Sequence, residues 1–308
     1  MSADEPIRYL DRIRAYYAGL GYGPPYVWAQ FAEVPFERLS KPLSACRVAV
    51  VTTAAPYQPD KGDQGPGAPY NAAAKFYQVY SGGTASDPDL RISHVAIDRA
   101  HTTAEDQASY FPLKALRRAA SAGRIGAITP HFFGLPTNRS HRTTLDVDCA
   151  ELLARVKADA ADAAVLVPNC PVCHQSVSLA ARVLEEAGIA TVIMGCAKDI
   201  VELAGVPRFL FSDFPLGNAA GKPGDPASQD VTLNLALDLV ESAVAPRTTL
   251  TSPLEWHDDH GWKRDYSNIA LLSPEEIARR RADFDKGRAI ASGLRREASL
   301  TPPGAADP

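Results

Sequence analysis

The sequence predicts an α/β protein with three layers, in which helices cover both faces of a doubly wound parallel sheet. Two short runs, 46–53 and 163–168, are largely apolar and rich in Val, as expected for strands buried on both faces. Helical patterns alternate with such runs along the chain. Because parallel strands are joined by crossover connections that pack on the sheet, this alternation indicates a doubly wound sheet.

The predicted strands are short and bounded by turn residues. In chain order they are 46–53, 91–97, 125–129, 163–168, 189–194 and 208–211. Residues 91–97 alternate between polar and apolar side chains, as in a strand. The segment 54–87 is rich in Pro, Gly, Asp and Tyr and is much longer than an ordinary connection, so we predict a functional flap there.

The predicted helices carry amphipathic periodicity or recognisable ends. In chain order they are 9–17, 112–122, 145–160, 172–187, 200–204, 228–243 and 273–291. Pro112 occupies a first turn and Gly123 follows the last turn of the same helix, while Gly188 closes another. Ser273 followed by Glu276 is a capping start for the last helix. The apparent doubling of strand, loop and helix units leaves open whether one domain or two similar flavodoxin-like half-domains form.

The chain divides into three predicted parts. Residues 1–44 form an N-terminal arm in which a helix is followed by Gly, Pro and aromatic residues. Aromatics in such an arm pack across a core edge or a partner subunit, and we expect a homo-oligomer. Residues 45–245 form the α/β catalytic core, and residues 246–308 form a C-terminal extension with one helix and a disordered tail from Thr301.

Charge and hydropathy exclude several classes of protein. The net charge of -4 and the lack of a Lys/Arg tract argue against nucleic-acid and membrane partners. The first ten residues are too charged for a secretion signal, and no run of about 18 apolar residues occurs, so we expect a cytoplasmic protein. Five scattered cysteines do not make a disulfide framework, which leaves free thiols, a redox pair or metal ligands.

The one close cysteine pair lies where a predicted strand runs into a helix. Cys170 falls near the N-cap, Pro171 suits the first turn, and Cys173 lies on the same side of that turn. The positive end of the helix favours a thiolate, so at least one cysteine should be more acidic than a free thiol. The pair is interpreted as redox-active or nucleophilic, with packing of two small side chains as the alternative.

Other polar residues follow predicted strand ends, and the carboxyl ends of parallel strands share one edge of a sheet. We therefore expect a cleft for a small-molecule substrate at that edge. The predicted catalytic residues are Cys170, Cys173, His174, His94 and His131, and the predicted substrate-binding residues are Thr52, Thr53, Asp98, Asp213 and Asn218. One of these histidines would supply a proton, although each is also compatible with a structural role.

Motifs for nucleotides and metals are sparse. No GxGxxG follows the first strand and no GxxxxGK[ST] occurs, so no dinucleotide or triphosphate site is predicted. A structural zinc site would need a second ligand pair at the usual spacing, which the sequence lacks. A metal bound by the cysteine pair with His94, His101 or His131 stays an alternative. The cluster 257–260 is either a divalent metal site or a solvated loop.

Several short stretches together resemble one enzyme family. They are 41–44 (KPLS), 48–53 (VAVVTT), 91–94 (RISH), 111–113 (FPL), 123–126 (GRIG), 170–175 (CPVCHQ), 185–188 (EEAG) and 213–218 (DFPLGN). The chain resembles the selenoprotein B family of glycine, sarcosine, betaine and D-proline reductases, and most of all its D-proline reductase branch. This resemblance implies reductive cleavage of a carbon–nitrogen bond, with selenocysteine as the attacking group and a dithiol as the electron donor.

The resemblance implies the attacking role for Cys170, where this chain has cysteine instead of selenocysteine, and the role of neighbouring thiol for Cys173. It also implies a partner subunit whose pyruvoyl or carbonyl group activates the amine, and this sequence shows no such group. Sulfur is a poorer nucleophile and leaving group than selenium. The substrate and the net reaction can therefore differ from those of the family.

Three functions follow, in order of preference. The first is a thiol-dependent reductase that cleaves a C–N or similar bond of a small amino-acid-like substrate. It would use an external dithiol or a redox donor protein and no other certain cofactor, and one cysteine should be alkylated below about pH 8. The second is a metal-dependent lyase or hydrolase with Cys and His ligands. The third is a noncatalytic binding subunit.

Overall fold

The computed structural model describes residues 5–23, 26–92 and 94–300. The strands are β1 (Arg47–Thr52), β2 (Ala55–Pro56), β3 (Tyr80–Gly83), β4 (Leu90–Arg91), β5 (Ala127–Ile128), β6 (His131–Gly134), β7 (Ala163–Val167), β8 (Ala190–Gly195), β9 (Arg208–Phe211) and β10 (Thr248–Thr251). The helices are α1 (Tyr9–Leu20), α2 (Leu113–Ser121), α3 (His141–Thr143), α4 (Ala150–Ala158), α5 (Pro171–Glu186), α6 (Lys198–Ala204), α7 (Pro226–Ser242) and α8 (Pro274–Leu300). A π-helix at Thr144–Cys149 joins α3 to α4.

One sheet of eight strands forms the centre of the fold. Its order is β10-β9-β8-β7-β1-β6-β3, and β5 also pairs with β1. The pairings in this sheet are parallel except that of β3 with β6. The strands β2 and β4 form a separate antiparallel ribbon. The mostly parallel sheet confirms the predicted α/β class.

Alternate side chains of β1 lie in two separate hydrophobic clusters. Val48 and Val50 belong to the cluster that contains residues of α2 and α7, whereas Ala49 and Val51 belong to the cluster that contains residues of α4 and α5. A strand that is buried on both faces must be apolar on both, which explains the continuous apolar runs in the sequence. Helices on the two faces confirm the predicted three layers.

The second predicted strand is largely wrong. Of residues 91–97, only Arg91 lies in a strand, and that strand pairs outside the main sheet. Ser93 lies outside the described residues. The chain that follows is held by tertiary contacts, since the N–H of Asp98 donates to the carbonyl of Leu216 at 3.1 Å. The alternation of polar and apolar side chains therefore does not mark a strand here, and the apolar Val95 is 47% exposed.

Three strands of the main sheet had no signal in the sequence analysis: β3, β6 and β10. The sequence of β3 is YSGG, and this strand lies at the edge of the sheet, antiparallel to β6. Edge strands that are polar or rich in Gly lack the apolar run that marks a buried strand. The predicted strand 125–129 is observed as the shorter β5, after which the chain returns to the sheet in β6.

The C-terminal part differs in length from its prediction. The helix α8 continues to Leu300, beyond the predicted end at 291, and the predicted disordered tail 301–308 lies outside the described residues. The strand β10 lies within the predicted extension 246–308, and the division of the chain into three parts stays a prediction. Within the described ranges, no helix has both the length and the apolar composition needed to cross a membrane.

The N-terminal arm packs along α5. The N–H of Ala29 donates to Oε1 of Gln175 at 2.7 Å, and Nη1 of Arg182 donates to the carbonyl of Glu33 at 2.9 Å. The Arg182 guanidinium also lies 4.0 Å from the centroid of the Phe31 ring. Packing on an edge of the core, one of the two predicted positions of the arm, is therefore observed.

Candidate active site

The cysteine pair lies where the sheet is extended in two directions. From the neighbouring strands β1 and β7, later strands are added on opposite sides, towards β6 and towards β8. In open α/β sheets, such a point leaves a crevice at the carboxyl ends of the strands, where ligands bind. Thr53 follows β1, and its hydroxyl accepts hydrogen bonds from the backbone N–H and the side-chain amide of Asn169 at 3.1 and 3.2 Å. These bonds fix the turn that leads from β7 into α5.

Cys170 is the N-cap of α5. Its backbone is extended, with φ -135° and ψ 169°, and its Sγ accepts a hydrogen bond from the N–H of Cys173 at 3.3 Å. Pro171 occupies the first turn, where a backbone donor is not needed. The two Sγ atoms lie 2.6 Å apart, and both cysteines are free thiols. The start of the helix therefore brings the two sulfur atoms together, as the sequence predicted.

The two cysteines differ in acidity. Burial raises the pKa of Cys170 well above its usual value, and the hydrogen bond to Cys173 raises this pKa further. Burial also opposes the ionisation of Cys173. The hydrogen bond from Cys170 and the electrostatic interaction with His94 outweigh that effect, so the pKa of Cys173 lies well below its usual value. These interactions favour ionisation of Cys173 over ionisation of Cys170.

Two side chains from other segments surround the Cys173 sulfur. The Oγ1 of Thr137 lies 3.2 Å from it. One ligand atom of His94 and the two sulfur atoms all lie within 4.8 Å of one another, and the Nδ1 atom of His94 is buried without a hydrogen-bond partner. His94 was predicted, although the strand that was to carry it does not form. Thr137 was missed because it follows β6, which had no signal in the sequence.

Positively charged side chains also act on the pair. Lys75 interacts electrostatically with Cys170, and its Nζ donates to the carbonyl of Thr137 at 3.0 Å. Arg99 interacts electrostatically with Cys170 as well, and burial lowers the pKa of Arg99 to about 10. The sequence did not single out either cation, because both lie in segments whose path is set by tertiary contacts.

The site is closed to solvent. Cys170 is 4% exposed and Cys173 is fully buried. Tyr26 of the N-terminal arm and Tyr266 both interact electrostatically with Cys170, and burial raises the pKa of Tyr26 to about 12. The sulfur atoms are therefore buried, and two polar side chains, Thr137 and His94, lie beside them.

A curated protein shares much of this sequence. The chain is 29% identical over 207 residues to the D-proline reductase subunit gamma of Acetoanaerobium sticklandii, and the match covers 67% of this chain and 79% of that protein. The chain is a distant relative of that reductase subunit. No protein-family model and no solved structure matches the chain. The match confirms the D-proline reductase-like relationship and supports a reductase-type function.

His174 links the start of α5 to the segment that follows β8. Its Nδ1 lies 2.8 Å from the carbonyl of Cys170, and its Nε2 accepts hydrogen bonds from the N–H groups of Cys196 and Ala197 at 2.9 and 3.1 Å. Burial lowers the pKa of His174 to about 4, so the ring is neutral at pH 7 and Nδ1 carries the proton. A Cβ atom at Gly195 would lie 2.9 Å from this ring. Both nitrogens of His174 are therefore occupied by the fold.

The predicted position of His131 at a strand end is wrong. His131 is the first residue of β6, where its side chain is exposed, and its Nδ1 lies 3.1 Å from Oδ1 of Asp159. The prediction failed because the chain continues past Thr129 into another strand. His101 does not join the cysteines either, since its Nδ1 lies 2.9 Å from Oδ1 of Asp98.

The predicted substrate-binding residues are engaged within the protein. The Thr52 hydroxyl accepts a hydrogen bond from the N–H of Ala54 at 3.1 Å, and the Thr53 hydroxyl binds the turn after β7, as described above. Burial raises the pKa of Asp98, although its carboxylate lies beside His101, which lowers this pKa. Of the other two predicted substrate-binding residues, Asp213 forms an ion pair with Lys263, and Oδ1 of Asn218 accepts a hydrogen bond from the Thr102 hydroxyl at 3.3 Å. All five side chains thus have partners within the protein, and their contact with a substrate stays a prediction.

Metal-ligand geometry occurs at the cysteine pair. Among the residues that the structure describes, His94, Cys170 and Cys173 form the group whose ligand atoms are close enough for one ion. Two thiols and an imidazole are donors that zinc accepts. The described residues of the cluster 257–260 do not form such a group.

Proposed function

We propose that this chain is a thiol-dependent reductase that cleaves a C–N or similar bond in a small amino-acid-like substrate. One observation carries the proposal: the sulfur atoms of two buried cysteines lie 2.6 Å apart at the start of a helix. A thiolate supplies the nucleophile, and a thiol at this distance supplies the second sulfur that is needed to form a disulfide. The distant relationship to a D-proline reductase subunit supports the same reaction class.

The reaction balances with the two cysteines as the electron source. In the first step the Cys173 thiolate attacks the substrate carbon, a C–S bond forms, and the leaving nitrogen takes a proton. In the second step Cys170, after losing its proton, attacks the Cys173 sulfur and the C–S bond breaks. The carbon leaves with the electron pair as an enolate and is protonated. The substrate thus gains two hydrogens, and an external dithiol reduces the new disulfide.

The proposed roles of the two cysteines are the reverse of those expected from the sequence, in which Cys170 attacks the substrate. Burial raises the pKa of Cys170, while Cys173 lies against Thr137 and close to His94. These groups stabilise a negative charge on Cys173. His94, with a free Nδ1, is the proposed proton donor to the leaving group.

The second step requires a substrate whose carbon can leave as a stabilised carbanion. A carbonyl or carboxyl group next to the reacting carbon provides that stabilisation. We therefore propose a substrate in which the C–N bond is adjacent to such a group. Because the relative is named as a subunit of a reductase, a partner protein that presents the substrate is part of the proposal.

Alkylation of the reduced protein tests the proposal. At pH 7, iodoacetamide should modify Cys173 faster than the other cysteines, as mapped by peptide mass spectrometry. Cys196→Ser, in another buried cysteine, is the matched control and should leave the reaction unchanged. Turnover is tested with D-proline and dithiothreitol, where wild type should give a product with two more hydrogens and Cys173→Ser should give none. A Cys173 that reacts no faster than Cys196 would contradict the thiolate.

A metal-dependent lyase or hydrolase is a second candidate, favoured by the grouping of His94, Cys170 and Cys173 within 4.8 Å. Elemental analysis of the purified protein distinguishes the two. The metal-dependent function would be favoured if the protein contained one zinc ion per chain, if this zinc blocked alkylation, and if His94→Ala lost it. Metal-free protein with a reactive Cys173 favours the reductase.

A further inference from the structure

Asp148 is a buried carboxyl group in the π-helix between α3 and α4. It is 3% exposed, and its Oδ2 accepts a hydrogen bond from Nδ2 of Asn138 at 2.6 Å. Asn138 is buried as well. A carboxyl group is costly to bury, and a π-helix is rare and frequently found at functional sites. A role beyond packing is therefore expected for Asp148.

The hydrogen bond to Asp148 holds the loop that places Thr137 beside the reacting sulfur. Thr137 comes directly before Asn138 in the chain, and its Oγ1 lies 3.2 Å from the Sγ of Cys173. On the other side of Thr137, the N–H of Leu135 donates to the carbonyl of Thr52 at 2.8 Å. The loop is therefore held on both sides of Thr137.

The element that carries Asp148 packs on the helix that carries Cys173. The π-helix contacts α5, and the two elements share one hydrophobic cluster. Cys173 lies in the first turn of α5. The contacts thus form a closed ring, from Cys173 through Thr137, Asn138 and Asp148 back to α5. This ring limits the movement of the Thr137 hydroxyl away from the sulfur.

We infer that Asp148 is a positioning residue, which holds the Thr137 hydroxyl at the Cys173 sulfur through Asn138. The inference rests on the proposed function, in which Cys173 reacts as a thiolate. A hydroxyl stabilises a negative charge on sulfur only while it stays within hydrogen-bond distance. Loss of the bond between Asn138 and Asp148 should therefore weaken the stabilisation of the thiolate.

The rate of Cys173 alkylation by iodoacetamide as a function of pH tests the inference, because the midpoint of this curve reports formation of the thiolate. Two variants are compared: Asp148→Ala removes the acceptor, whereas Asp148→Asn keeps one. Both remove the carboxylate charge, so the difference between them reports the hydrogen bond. The midpoint in Asp148→Ala should lie about one pH unit above that in Asp148→Asn, the shift expected for one hydrogen bond to a charged group.

A second pair of variants separates positioning from a general effect on the fold. If Asp148 acts through the Thr137 hydroxyl, then Asp148→Ala and Asp148→Asn should have the same midpoint when each is combined with Thr137→Val. Asn138→Ala removes the same hydrogen bond from its donor side, and it takes the place of Asp148→Ala if urea titration shows that variant to be unfolded. Asp199→Ala, which removes an acceptor for the N–H of Leu10, is the matched control and should keep the wild-type midpoint.

The outcomes distinguish this inference from the proposed function. Equal midpoints in Asp148→Ala and Asp148→Asn overturn the inference alone, and so does a difference that persists in the Thr137→Val background. A wild-type midpoint no lower than that of free cysteine overturns the proposed function and the inference with it.

Discussion

Replacing Thr137 with valine should raise the pKa of Cys173. The Thr137 hydroxyl lies 3.2 Å from the Cys173 sulfur and helps to lower its pKa. A hydrogen bond to a charged group contributes about 1.5 kcal/mol at the lower end of its range, and each pKa unit corresponds to about 1.4 kcal/mol. The pKa should therefore rise by about one unit. Valine has nearly the shape of threonine, so the packing changes little.

The assay is the rate of alkylation of Cys173 as a function of pH, with the modified peptide quantified by mass spectrometry. Because only the thiolate reacts, the midpoint of this curve gives the pKa, and it should move about one pH unit upward in Thr137→Val. Thr137→Ser keeps the hydroxyl and should follow the wild-type curve. A midpoint that is the same in Thr137→Val and wild type would refute the assignment of the thiolate to Cys173.

Three further predictions concern oxidation and stability. Mild oxidation should join Cys170 to Cys173 with the loss of two hydrogens; an intact mass that stays at the reduced value in wild type would count against the redox pair. Burial raises the pKa of Asp148 to about 6, above its value in the unfolded chain. The protonated Asp148 side chain therefore stabilises the fold at low pH, and this stabilisation is lost as the pH rises through about 6. Asp148→Asn, which keeps an acceptor for Asn138, should therefore raise the free energy of unfolding at pH 7 by up to about 3 kcal/mol in urea titrations, and no gain would show that the carboxylate is well solvated. Arg208 and Glu185 form a fully buried ion pair at 2.8 Å, so Arg208→Met should cost about 3–5 kcal/mol in the same measurement, and a loss below about 1 kcal/mol would contradict this.

The sequence predicted most of the central fold because buried strands and capped helices have local signals. The strand at Arg208–Phe211 has its predicted bounds, and the helix after Cys170 begins one residue earlier than predicted. Its N-cap could be identified from Pro171 and the apolar strand before it. These features depend on neighbouring residues in the chain, which the sequence contains directly.

The rest of the site could not be predicted, because it comes from loops. Thr137 lies beside Cys173, and Lys75 and Arg99 interact electrostatically with Cys170, but nothing in the immediate sequence of these three residues marks them. His131 carried the expected residue type at an apparent strand end, but one more strand moved it to the surface. Residue type and strand order are thus insufficient to predict the site residues where the chain returns to the sheet in an additional strand.

The contact between His174 and Gly195 constrains how this sequence can change in evolution. The imidazole occupies the space that any side chain at position 195 would need, and it holds the backbone of Cys170 through its other nitrogen. Relatives with a histidine at the first position should therefore keep glycine at the second. Where that histidine is replaced by a small residue, only the Phe209 ring, 3.2 Å from the same Cβ position, still restricts position 195, so positions 174 and 195 are expected to covary.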